Sequence, residues 1–203
     1  MVSIIACLKK LPELARVAML GLALCCSGLL SAAEIEIPSA QLLSTDDGYV
    51  LSADFSFELS QRLEEAVNKG VVLHFLFEFE MGKRRWYWFD EKLVARQTEV
   101  RLYYHALTRQ YRLTTGGLHQ SFSTLGEALR VLSRVRSWLV IERAAAEKLG
   151  LRAGDSYQAA VRMKLDISQL PKPFQVAAFG NRDWNLSSDW KSWQLVLPGG
   201  ESR

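Results

Sequence analysis

The side chains best suited to acid–base or metal chemistry near neutral pH are the three histidines, His74, His105 and His119. None has the spacing of a metal site, because there is no His-x-His pair, no HExxH motif and no acidic residue at a fitting offset. His74 and His105 fall on the polar faces of predicted strands, and they would approach one another if those strands were neighbours. The sequence therefore predicts no metal. A hydrolase that pairs His105 or His119 with a nearby carboxylate is the least favoured of the functions considered.

Glu78 and Glu80 lie two residues apart, so both carboxylates fall on one face of an extended chain. Paired carboxylates can act as general acid and base. The alternation around them instead favours a solvated sheet face whose acids form ion pairs with Arg101 or Arg162. The chain also has no GxSxG, P-loop or GxGxxG motif. We therefore predict no cofactor and a non-enzymatic function.

The most distinctive local cluster is Lys83–Trp88 (KRRWYW), in which basic and aromatic residues adjoin. Such clusters can bind anionic lipids, sugars or single-stranded nucleic acid. A second aromatic cluster lies in the polar loop Asn181–Trp190. The alternative interpretation is structural: a hairpin tip and a loop whose tryptophans return to the core. The predicted binding residues are Lys83, Arg84, Arg85, Trp86, Trp88, Trp184 and Trp190.

The strongest structural pattern is Val71–Met81 (VVLHFLFEFEM), in which every second residue is apolar. Side chains alternate between the two faces of a strand, so one face of this segment is fully apolar and the other becomes acidic toward its end. We predict that it is the central strand of a sheet and that the rest of the fold packs against it. The inward side chains are Val71, Leu73, Phe75, Phe77, Phe79 and Met81.

Turn residues and alternating segments divide the rest of the chain into short strands and helices. A helix is expected between Ser60 and Gly70, and a second helix runs from a capping box at Thr124 to Val135. The predicted strands are residues 34–37, Tyr49–Glu58, Val71–Met81, Thr98–Ala106, Gln110–Thr115, Trp138–Glu142, Asp155–Ile167 and Ser192–Leu197, whereas Phe174–Phe179 is ambiguous. About eight antiparallel strands with two or three short helices in connections predict a mainly β fold, an immunoglobulin-like β-sandwich.

Residues 1–33 have the layout of a secretory signal peptide. A basic region precedes the uncharged apolar run Val17–Leu30, and small residues at 31–33 fit a cleavage site before Glu34. The alternative is an uncleaved inner-membrane anchor formed by residues 17–33. All three cysteines lie in this leader, so the mature chain is predicted to have no disulfide and no thiolate metal site.

The remaining chain is predicted to form one domain, residues 34–198, followed by a disordered tail, residues 199–203. Its net charge is small: +3 for the whole sequence and about +1 without the leader. A nucleic-acid-binding protein usually has a larger, localised excess of basic residues. The charge balance and the predicted export together argue against a nucleic-acid partner.

Motifs spread over nearly the whole chain resemble those of a known family. They are Arg84–Lys92 (RRWYWFDEK), Leu107–Leu113 (LTRQYRL), Gly116–Phe122 (GGLHQSF), Ser168–Val176 (SQLPKPFQV) and Arg182–Trp190 (RDWNLSSDW). In these segments the chain resembles the exported Gram-negative bacterial proteins known as domain of unknown function 4390. The resemblance carries no established activity, so it assigns no catalytic residue. It implies a context, since members are often encoded beside a membrane histidine kinase and response regulator of the nitrogen-regulation type.

These observations predict a non-enzymatic binding or interaction protein that is periplasmic or otherwise associated with the envelope. The expected partner is another envelope protein, such as the ectodomain of a sensor kinase, and the membrane is a partner only if the leader stays uncleaved. The alternative function is a small-ligand or glycan-binding module that uses the tryptophan-bearing loops.

Overall fold

The computed structural model describes residues 35–83, 91–152 and 154–197, which contain nine β-strands and four α-helices. The strands are β1 (Glu36–Thr45), β2 (Gly48–Ser56), β3 (Leu73–Lys83), β4 (Glu91–His105), β5 (Gln110–Thr115), β6 (Leu118–Phe122), β7 (Arg134–Glu142), β8 (Ser156–Leu165) and β9 (Lys191–Val196). The helices are α1 (Gln61–Asn68), α2 (Leu125–Leu132), α3 (Arg143–Lys148) and α4 (Lys172–Ala178). The predicted leader and tail lie outside the described residues.

The strands form two antiparallel sheets of different size. The larger sheet has the order β6-β5-β4-β3-β8-β9, and the smaller has the order β1-β2-β7. β3 lies in the interior of the larger sheet, and its side chains alternate between buried and half-buried as far as Met81. The prediction of a central strand over Val71–Met81 is therefore confirmed, although the strand itself begins at Leu73 and ends at Lys83.

The two sheets pack face to face around one apolar core. Phe55 of β2 meets Phe77 of β3 with ring centroids 5.2 Å apart in an edge-to-face arrangement, so the smaller sheet lies directly on the inner face of the larger one. Phe75, Phe77 and Phe79 are almost completely buried at this interface. The predicted β-sandwich with helices in the connections is confirmed. Its immunoglobulin-like detail stays a prediction, since the strands divide into sheets of three and six.

Both helix starts that the sequence predicts are confirmed by their capping bonds. The Ser60 hydroxyl accepts a hydrogen bond from the Leu63 N–H at the start of α1, at 3.3 Å. At the start of α2, the Thr124 hydroxyl accepts from the Glu127 N–H, and the Glu127 carboxylate accepts from the Thr124 N–H. Each cap satisfies backbone donors that have no partner within the helix.

The end of α2 differs from the prediction. The helix ends at Leu132, and Val135 belongs to β7, which begins at Arg134 and not at Trp138. Local apolar spacing continues the helical pattern to Val135, but pairing with β2 takes over, because Arg134 and Val135 lie opposite Asp54 and Ala53. Tertiary pairing overrides helix propensity at this point.

Three further segments refine the sequence-based strand assignment. The ambiguous segment Phe174–Phe179 lies mostly in α4, which begins beside a proline at its first turn. Leu118–Phe122 is an edge strand, and β4 begins at Glu91, seven residues before the predicted Thr98.

No helix in the described part of the chain is long and apolar enough to cross a membrane.

Candidate functional site

The predicted basic–aromatic patch is only partly within the structure. Arg84, Arg85, Trp86 and Trp88 lie outside the described residues. Lys83 is the last residue of β3, and its ammonium lies 3.5 Å from the Asp155 carboxylate and 5.8 Å from the centroid of the Tyr157 ring. Lys83 is thus held at the end of the strand by contacts within the domain.

The two predicted binding tryptophans that the structure describes lie in different environments. Trp184 is 4% exposed and packs against Phe174 with ring centroids 5.6 Å apart, so it belongs to the core. Trp190 is half-buried on the outer face of the larger sheet, with the Arg162 guanidinium 4.5 Å from its ring centroid. The structure therefore does not bring Trp184 and Trp190 together in one exposed site.

The histidines also lie apart from one another. Cross-strand pairing places His74 opposite Arg101 and His105 opposite Gln110, so the two are not neighbours. His105 and His119 hydrogen-bond through Nδ1 with threonine hydroxyls, each at 3.0 Å. His74 Nδ1 contacts the carboxylate of Glu99, its diagonal neighbour on the adjoining strand β4, and sequence alone does not reveal this contact. Within the described ranges, no cluster of three or more His, Cys, Asp and Glu residues could hold a metal.

The predicted ion-paired sheet face is present around Glu78. Its carboxylate binds the Arg162 guanidinium, and the Lys164 ammonium lies 3.0 Å away. Burial raises the pKa of Glu78, but hydrogen bonds from Arg162 and Lys164 outweigh burial and hold the pKa below its ordinary value of 4.5. Glu80 pairs with Lys92 at 2.8 Å. The Glu78 carboxylate therefore stays ionised at neutral pH, so it is suited to ion pairing and not to proton donation.

A cleft of about 330 Å³ opens between the sheets, beside β7. It lies over the inner face of β4, β5 and β6, because a sheet of three strands cannot cover a sheet of six. The apolar lining consists of Phe77, Val100, Leu113, Leu118, Val131, Leu132, Val135 and Trp138, and the polar lining of Thr98, Thr115, Gln120, Arg134 and Arg136. We call this feature the inter-sheet cleft.

An irregularity in β7 turns two apolar side chains toward the cleft. Leu51 pairs with Trp138 and Ala53 with Val135, so one residue of β2 opposes two residues of β7. Ser137 lies in this bulge with φ 53°, a left-handed conformation that is uncommon for a residue other than glycine. In a regular strand, residues three apart point to opposite faces. The bulge instead lets both Val135 and Trp138 line the cleft.

The polar lining is cationic on the side of β7. Arg136 donates to the Asp54 carboxylate and to the carbonyl oxygen of Ala53, the latter at 3.1 Å. Hydrogen bonds from Ser39 and Arg136 hold the pKa of Asp54 below its ordinary value, so this pair stays charged. Arg134 is exposed and, among the described residues, has no ion pair. Among the described residues that line the cleft, none is acidic.

Sequence reasoning missed this cleft. Alternation predicts that the inward side chains of β4, β5 and β6 are core, and helical spacing predicts that Val135 belongs to a helix. The alternation that places Val100, Leu102 and Leu113 on one face is visible in the sequence. It does not indicate whether the opposite sheet is wide enough to cover that face.

Comparison with known families agrees with the motifs in the sequence. The model of the family described as "Domain of unknown function (DUF4390)" matches residues 32–194, which is most of the chain. No curated protein and no solved structure matches the chain. The chain belongs to the DUF4390 family.

Proposed function

We propose that this chain is an exported, non-enzymatic binding protein of the cell envelope, and that it binds a small ligand with an apolar group in the inter-sheet cleft. The observation that carries the proposal is the cleft itself: apolar walls, a few polar groups contributed by both sheets and an opening between the sheets. Small-molecule sites have this composition, and their volumes are about 300–1,000 Å³.

The local backbone of β7 supports the same function. A bulge at an edge strand often re-aims side chains next to a binding site. A non-glycine residue in a left-handed conformation carries strain, and such strain concentrates at functional sites. Both features coincide at Ser137, between the cleft-lining residues Arg136 and Trp138.

A glycan is a poorer fit to this cleft than an apolar ligand. Sugars are recognised by exposed aromatic faces together with many hydrogen-bonding groups. Six of the eight apolar residues that line the cleft are aliphatic, and Phe77 and Trp138 are its aromatic members. Trp184, which a glycan site in the loops would use, is buried. Periplasmic location and export remain part of the proposal, and they rest on the leader in the sequence and on the family context.

The experiment is a titration of the purified protein with the neutral fluorescent probe N-phenyl-1-naphthylamine. We expect saturable binding that Thr115→Trp weakens by at least about tenfold, because the indole fills the cleft from an exposed position. Val100→Trp fills the same cleft from β4 and provides a second variant. Thermal unfolding confirms that each variant is folded.

The matched control is Val176→Ser, which removes an exposed apolar side chain outside the cleft. This variant should bind the probe as the unsubstituted protein does. The proposal is wrong if both filled variants bind the probe with unchanged affinity, or if Val176→Ser alone abolishes binding.

A second candidate function is docking to an envelope protein such as the sensor-kinase ectodomain. One observation favours it: Val176 and Phe179, three residues apart at the end of α4, are 77% and 91% exposed. Exposed aromatic side chains often anchor protein interfaces. If this patch is the interface, Phe179→Ser should abolish binding of the purified ectodomain in calorimetry, whereas Thr115→Trp should not. Retained binding by Phe179→Ser would exclude the patch.

A further inference from the structure

We infer that the ligand of the inter-sheet cleft is an amphiphilic anion, whose apolar tail fills the cleft and whose carboxylate or phosphate head group binds Arg134. This inference rests on the proposed function, because it names the class of ligand for the same cleft. Three observations carry it: the charge of the rim, the availability of Arg134 and the size of the apolar space.

The charge of the rim, by which we mean the β7 side of the cleft with Arg134 and Arg136, favours an anion. Arg134 and Arg136 are the charged residues of the lining in the part of the chain that the structure describes, and no lining residue in that part is acidic. Asp54 is the acid nearest to them in the pairing of β2 with β7, where it lies opposite Arg134. Arg136 donates to its carboxylate, whereas Arg134 attracts the same carboxylate through its charge and, among the described residues, makes no hydrogen bond to it. The rim therefore has one more positive charge than its local acid neutralises.

The two arginines differ in the hydrogen bonds that their guanidinium groups donate. Arg136 is held by Asp54 and by the carbonyl oxygens of Ala53 and Val135. Arg134 has no side-chain hydrogen bond in the described part of the chain, and its side chain is exposed at the first position of β7. A guanidinium presents a planar fork of donors that matches a carboxylate or a phosphate. Arg134 is the residue with that fork available.

The geometry of β7 places the cation beside the apolar wall. Val135 and Trp138 face the cleft because of the bulge at Ser137, and Arg134, at the first position of β7, is also one of the residues that line the cleft. One short segment thus supplies both the apolar wall and the head-group donor. A ligand that uses both must have its charge at one end and an apolar body behind it.

The volume limits the length of the tail. The share of liquid volume of one water molecule is about 30 Å³, and a methylene group is of similar size. A cleft of about 330 Å³ therefore holds a tail of roughly ten such groups. Medium-length acyl or aryl chains fit this space, and a long lipid chain would extend out of it.

The test compares ligands with the same tail and different head groups, each below its critical micelle concentration. Decanoate, decyl phosphate, decanol and decyltrimethylammonium are titrated into the protein loaded with the neutral naphthylamine probe. We expect the dissociation constant of decanoate or decyl phosphate, measured by displacement of the probe, to be at least about tenfold lower than that of decanol. The reason is that the anion gains a charge-assisted hydrogen bond. The stronger of the two anions identifies the head group.

Arg134→Gln separates the head-group contact from the tail contact. We expect this variant to lose about tenfold in affinity for the anions and to keep its affinity for decanol. Arg109→Gln, an exposed arginine in the β4–β5 turn, is the matched control and should change neither affinity.

The inference fails if decanol binds as tightly as both anions, or if Arg134→Gln changes no affinity. In that outcome the proposed function stands, provided that Thr115→Trp still weakens binding of the neutral probe. If Thr115→Trp leaves that binding intact, the proposed function fails as well.

Discussion

Gly48 shows how one residue fixes the junction of the β1–β2 hairpin with β7. It has φ +143°, and a Cβ atom at this position would lie 2.1 Å from the carbonyl oxygen of Ile141. The Arg143 guanidinium closes the same junction by donating to the carbonyl oxygens of Asp46 and Thr45, at 2.7 and 2.6 Å. Neither the backbone nor the adjoining strand can move without breaking these bonds.

Gly48→Ala is therefore expected to lower the free energy of unfolding by more than about 3 kcal/mol, measured by urea denaturation. Gly116→Ala is the control, since Gly116 also has a positive φ, but no atom lies within 4 Å of the place that an alanine methyl group would occupy there. That variant should lose only about 1 kcal/mol. Equal losses in the two variants would show that the close approach to Ile141 contributes nothing.

Glu78 makes the stability of the larger sheet depend on pH. Its pKa in the folded protein is below the ordinary value of 4.5. A depressed pKa of a carboxyl means that the contribution to stability is fully present above its unfolded-state pKa. That contribution is lost as the pH falls through the lower folded-state pKa.

Glu78→Gln should lower the free energy of unfolding at neutral pH by about 1–2 kcal/mol, because Arg162 and Lys164 lose a shared, half-buried partner. The difference from the unsubstituted protein should shrink as the pH falls through the folded-state pKa of Glu78, because below that pKa the carboxyl group is protonated in both states. Chemical denaturation across this pH range measures it. A difference that is constant with pH would contradict the assignment.

At the scale of elements, the bulge in β7 is the feature that distinguishes this strand from its neighbours. A glycine at Ser137 removes the steric penalty of the left-handed conformation but adds entropy to the unfolded chain. Ser137→Gly should therefore change the free energy of unfolding by less than about 1 kcal/mol and retain binding of the neutral probe. Ser137→Val should lose about 1–3 kcal/mol. Denaturation and probe titration measure both effects, and a stabilising valine would mean that the bulge is absent.

The elements that sequence predicts well are those whose information is local. Alternation defines β3, and the hydroxyls of Ser60 and Thr124 mark the starts of two helices. Sequence predicts β7 less well, because its first residues continue the helical spacing of α2. The bulge in β7 contains no glycine that would predict it, so the positive φ of Ser137 is visible only in the structure.

At the scale of the whole molecule, the unequal sheets create the site. The residues that line the cleft come from β3 to β7 and from α2, so about sixty residues of sequence separate Phe77 from Trp138. In the sequence, the local clusters that indicate a binding site are the basic and tryptophan-rich segments. It predicts the sandwich, because each strand shows one apolar face. It cannot predict the cleft, since sheet width depends on strand order and not on local pattern.

The measurement that tests the cleft most directly is a heteronuclear NMR titration of the isotope-labelled protein with decanol, whose neutral head group isolates the contribution of the apolar tail. We expect saturable shift changes at the indole N–H of Trp138 and at the methyl groups of Val100, Val135 and Leu118. Val176, exposed on α4, should not shift. Shift changes confined to α4, or none at the cleft on saturation, would contradict a ligand site between the sheets.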